Sequence, residues 1–136
     1  MTRGHWEKIH TIGNYWDGPL TGVADLDGVP HLFEKQFSEE EDEYIDRYLV
    51  MAIDQELLSL IMDAWSVWLR WRTAFDQGKT TLSTHPVLPE DRERYRALKQ
   101  AIGDREKLHP DRSRVVEGQV RRIGPGHCAF EVQWLD

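Results

Sequence analysis

Cysteine, long apolar runs and surplus positive charge are all scarce in this chain. The one cysteine, Cys128, excludes an internal disulfide and fits a reducing compartment. No segment reaches the roughly 18 consecutive apolar residues of a membrane-spanning helix. The opening MTRGHWEKIH lacks the apolar core of a signal peptide, so a cytoplasmic location is expected, with no membrane partner. Acidic side chains outnumber basic ones, 24 against 17, for a net charge of −7. That balance argues against nucleic acid, whose phosphates need a basic face.

Catalytic and metal-binding signatures are missing too. There is no GxSxG, no phosphate-cradling glycine loop, no HExxH and no paired-carboxylate motif. The six histidines never fall at the i,i+3 or i,i+4 spacing of a helical metal site. Neither a metal nor another cofactor is therefore expected. His127 and Cys128 are sequence neighbours and would point to opposite faces of a strand, so they cannot act as a pair. Cys128 reads as a core thiol. Because active sites also assemble from separated segments, these absences leave catalysis undecided.

What is present is tryptophan, six in 136 residues, three of them in one stretch. From Asp54 to Gln77, apolar side chains fill an arc of roughly 220° at 100° per residue. An arc that wide needs cover on two sides. Asp54 suits the N-cap, and Gly78 suits the position just past the end. The apolar run Tyr48–Ile53 just before it reads as a strand, and Pro89 to Gly103 as a second, thinly apolar outer helix.

Flanking strands complete the pattern. His5–Ile12 is read as a strand. Leu20–Leu26 and Val29–Phe37 form a hairpin about Asp27-Gly28, a pair suited to a type I′ turn. That turn sets Leu26 opposite Val29, Ala24 opposite His31, Gly22 opposite Phe33 and Leu20 opposite Lys35. Val115–Ile123 and Cys128–Leu135 form a last hairpin. The expected fold is α+β: one domain over residues 1–136. Its antiparallel, curled sheet has five or six strands, and its concave face packs on the long tryptophan-rich helix.

Two candidate regions emerge. Gly22 leaves space opposite Phe33, with His31 one pair away on an apolar face. The loop carrying Tyr15, Trp16 and Asp17 could fold over that place, Asp17 orienting the imidazole and the aromatics covering a ligand. Arg72, in the middle of the apolar arc, is a further candidate for an anionic ligand. The other region is the run Glu39, Glu40, Glu41, Asp42 and Glu43, a solvated turn or a docking patch for a basic partner. Residues 1–69 hold 14 acidic and 4 basic side chains, so the acidic surplus sits in that half.

Tyr15-Trp16-Asp17-Gly18-Pro19-Leu20 with Gly22-Val23-Ala24, then Gly28-x-Pro30-His31-x-Phe33, resembles a family of small, uncharacterised bacterial proteins. Those carry a similar signature, a tryptophan-bearing helix and an ending like Glu131-Val132-Gln133-Trp134. The resemblance implies a small stand-alone bacterial domain and assigns no residue a role. Two functions of different class remain: a non-catalytic protein-interaction module, such as a regulator or an immunity-type inhibitor, and a small-molecule binding domain or enzyme with a pocket beside His31. Oligomeric state is not legible.

Overall fold

Alternating inward and outward side chains let six short strands close on themselves in the computed structural model, which describes residues 5–127 and 129–135. The strands are β1 (Glu7–Ile12), β2 (Thr21–Leu26), β3 (Val29–Ser38), β4 (Glu43–Ala52), β5 (Arg114–Arg122) and β6 (Phe130–Leu135). Each is antiparallel to the next, and β6 returns to β1 through Glu7↔Val132 and Lys8↔Glu131. The expected curled sheet is thus a closed barrel. Closure pairs every strand with two neighbours and leaves no open concave face for a helix.

The barrel is filled by its own side chains. Ile9, Phe33, Tyr48, Val50, Val132 and Trp134 are buried together, with Tyr48 edge-on to both Phe33 and Trp134. The Trp134 indole N–H donates to the Asp25 carbonyl at 2.8 Å, tying β6 to β2. Among the described residues the buried Tyr48 hydroxyl has no hydrogen-bond partner. Burial, with the Asp46 carboxylate adding to it, pushes this phenol well above its usual value near 10.

The β2–β3 register follows the expected turn. Leu26 pairs with Val29, Ala24 with His31 and Gly22 with Phe33, and the Lys35 amide donates to the Leu20 carbonyl at 2.7 Å. Asp27 and Gly28 both take positive φ, 54° and 75°, as a type I′ turn requires. Buried Glu7 closes that turn, its two carboxylate oxygens accepting the Asp27 and Gly28 amides at 2.9 and 2.8 Å. The space expected at Gly22 is not there. A Cβ on Gly22 would lie 2.0 Å from the Thr11 carbonyl oxygen, because β1 crosses tightly over it.

A second compact unit spans Gln55–Glu106. Helix α1 (Gln55–Asp76) carries Trp65, Trp68 and Trp71, and α2 (Arg92–Ile102) packs on it after a single 3₁₀ turn opened by Pro89. Gly78, at φ 72°, lets the Lys79 amide reach back to the Ala74 carbonyl at 2.8 Å and stop α1. The fully buried α1 positions, Leu57, Ile61, Val67 and Trp71, span only roughly 120°, a narrower stripe than the composition of the helix suggests. Trp71 donates to the Thr84 hydroxyl at 2.8 Å, and Arg70 meets buried Asp91 at 2.7 Å. That hydrogen bond and the Asp91 charge hold the Arg70 guanidinium above its usual value. No helix among the described residues is long and apolar enough to cross a membrane. Cys128 lies outside the described residues.

Candidate functional site

In an up-and-down barrel the first, third and fifth connections share one end. At that end β3 runs past the paired part of β2, and β4 parts from β5, which continues to Arg122. β2 pairs with β3 only as far as Thr21↔Glu34, and β5 pairs with β4 only from Glu117↔Arg47. Beyond those points the two strands pair with each other alone, through Phe37↔Tyr44 and Ser38↔Glu43. The register slips between these pairs and Lys35↔Tyr48, with Ile45, Asp46 and Arg47 of β4 standing opposite Gln36 alone, a bulge on the β4 side. The result is a two-stranded ribbon with an exposed tip, the acidic arm.

The chemistry of the arm is one-sided. Gln36 to Asp46 holds six carboxylates and no cation. The tip, Glu39, Glu40, Glu41 and Asp42, is exposed together with Glu43, and the Ser38 hydroxyl accepts the Glu41 amide at 3.2 Å to shape the turn. Asp42 takes φ 53°, a left-handed conformation that aspartate tolerates. On the stem, Phe37 and Tyr44 meet edge to face at 5.1 Å yet remain 49% and 39% exposed. At the base, Lys35 Nζ lies 3.6 Å from Asp46.

The residues singled out in the sequence fall in several places. Tyr15, Trp16 and Asp17 form the β1–β2 loop, closed on itself by a Tyr15↔Pro19 bridge and by the Leu20 amide donating to Asn14 at 2.8 Å. Asp17 sits at φ 54° and Trp16 is 74% exposed. The loop is anchored at the Thr21 end of β2, through the Gly13 amide on the Thr21 carbonyl at 2.8 Å. His31 is buried in mid-strand and its Nδ1 donates to the Val29 carbonyl at 2.7 Å, toward the opposite end. Among the described residues no hydrogen bond, ion pair or ring contact joins this loop to His31. Tyr15 instead packs against Phe130, at 6.0 Å between ring centres.

Arg72 belongs to the helical unit. Its Nε lies 3.2 Å from Asp76, off line for a hydrogen bond, and the guanidinium lies 5.6 Å over the Phe75 ring. The charge is met within its own helix turn. The acidic run Glu39–Glu43 is the candidate that the fold sets apart.

Two features had little trace in the sequence. The first half of β4 reads as polar and turn-like, so the length of the arm was hidden. Its one signal is an aromatic residue on each side of the acidic run, Phe37 and Tyr44. The other feature is a cluster in which ligand atoms of His5, Glu7 and Asp27 lie within 4.8 Å of one another. The pairing of β1 with β2 brings them together, and both Glu7 oxygens already hold the turn amides. No protein-family model, curated protein or solved structure matches the chain.

Proposed function

We propose that this protein is a non-catalytic protein-interaction module that docks its acidic arm on a basic partner protein. The observation that carries this reading is the far end of the β3–β4 ribbon, where residues 36–46 gather six carboxylates and no cation and the run Glu39–Glu43 is exposed. A turn serving only to connect two strands needs two to five residues and no such stem. Charge of one sign on an exposed element speeds encounter and sets orientation. The exposed aromatic pair Phe37 and Tyr44 supplies apolar contact beside that charge. A regulator or an immunity-type inhibitor that blocks a basic surface fits these features.

The test is co-purification from the native cell at low and high salt, with wild type and with Glu39→Lys/Glu41→Lys/Glu43→Lys. The expected outcome is a basic partner held at low ionic strength, released at about 0.5 M salt and absent from the variant. A partner retained equally by both proteins and at both salt levels would overturn the reading.

A further inference from the structure

At the end of the barrel away from the acidic run, the pairing of β1 with β2 sets three ligand-bearing side chains side by side. His5, Glu7 and Asp27 each present one ligand atom, and these atoms lie within 4.8 Å of one another. His5 Nε2 stands 3.6 Å from Glu7 Oε2. Two ligands held at about 2.0–2.2 Å from one tetrahedral zinc ion lie roughly 3.3–3.6 Å apart, so this pair already has coordination spacing. Asp27 is exposed, and a turn of its side chain closes the remaining distance.

Glu7 separates this cluster from a chance meeting of surface charges. It is only 7% exposed, and its oxygens accept the Asp27 and Gly28 amides at 2.9 and 2.8 Å. Each amide takes one lone pair, and a carboxylate offers about four. The amides therefore leave Glu7 able to bind a cation and fix its orientation, as outer hydrogen bonds do for metal-ligating carboxylates. The residue that donates one of those amides, Asp27, carries a second carboxylate to the same place, held there at φ 54°. Two carboxylates this close repel, and a cation between them turns repulsion into attraction.

We infer that His5, Glu7 and Asp27 bind a divalent transition-metal ion, zinc by preference, with water in the open coordination positions. An imidazole nitrogen beside two carboxylates suits zinc better than calcium or magnesium, which take oxygen ligands. Three protein ligands and water are a sufficient set for zinc. The ion pins the start of β1 to the β2–β3 turn, which lies 20 residues further along the chain. The inference is independent of the acidic arm, which lies at the other end of the barrel.

The test uses the whole chain, stripped with a chelator, and zinc, cobalt and calcium ions as probes. Calorimetric titration with zinc should show one ion bound per chain, and zinc should raise the melting temperature by mass action. Cobalt should develop visible absorption bands that excess zinc removes. His5→Ala and Asp27→Asn each keep Glu7 and both turn amides, and asparagine accepts the left-handed φ at position 27. Each variant should weaken zinc by about tenfold or more, since even outer hydrogen-bond partners of a metal ligand contribute that much. His127→Ala, at the other end of the barrel, should bind zinc as the wild type does. Absence of zinc binding, or zinc binding of wild-type strength in both cluster variants, would overturn the site and leave His5 as a simple ion-pair partner of Glu7. Equal stabilisation by calcium would overturn the choice of a transition metal.

Discussion

Tyr48 shows how a single hydroxyl can work against the core it helps to fill. Its ring packs against Phe33 and Trp134, at 5.9 and 5.5 Å, while its buried OH has no partner among the described residues. A buried polar group left unmet costs about 1–3 kcal/mol. Tyr48→Phe keeps the ring and removes the cost, so urea unfolding should show a gain of about 1 kcal/mol. The same residue sets an alkaline limit. Its proton is held more tightly in the folded chain than in the unfolded one. Below pH of about 10 both states keep the proton and the full stability is present. Above that, only the unfolded chain ionises, and stability falls by up to about 1.4 kcal/mol per pH unit. Tyr48→Phe should lose this steep component when unfolding is measured between about pH 9 and 11. No sequence pattern marks Tyr48 as unpaired, because its surroundings come from four different strands.

Among the elements, the arm and the β2–β3 hairpin differ in what fixes them. The hairpin was legible in the sequence to the residue, because Asp27-Gly28 dictates a turn type and the turn dictates the register. The extent of the arm was not. Its stem is half polar, and solvated ribbon has no apolar alternation to read. Similarly, the breadth of apolar composition in α1 overstated how much of it is fully buried. Composition shows what a helix could bury, while its neighbours decide what it does. The arm rests on one cross-strand aromatic pair, and such pairs contribute about 0.5–1.5 kcal/mol. Phe37→Ala should therefore abolish amide protection over Gln36–Asp46 while shifting the main thermal transition little. A large fall in that transition would mean that the arm is part of the cooperative core.

For the molecule as a whole, the α+β class and the six strands were legible, since each strand carries its own period or turn. Closure was not legible. It depends on β1 meeting β6, a contact between the two ends of the sequence that no local pattern encodes. The site candidates divide on the same ground. The acidic run is local, and its exposed turn needs no distant contact to form. A pocket drawing together Tyr15, Trp16, Asp17 and His31 needs parts of the barrel that the connectivity sets apart. Closure also predicts where damage spreads. Trp134 spans the interior from β6 to Asp25 on β2 and stacks over Gly118, whose added Cβ would sit 2.9 Å from the ring. Trp134→Ala should cost about 3–5 kcal/mol by chemical denaturation, the penalty of an emptied large core site.

The ring also imposes an order of assembly. Four of its six seams join strands adjacent in sequence, whereas β4–β5 and β1–β6 join strands far apart. Distant seams pay loop-closure entropy before contacts repay it, so they zip up late. During synthesis and refolding the chain must then pass through an open four-strand meander and a separate two-strand ribbon. The outer borders of those two pieces are the surfaces at which a crowded, half-made population would stick to itself.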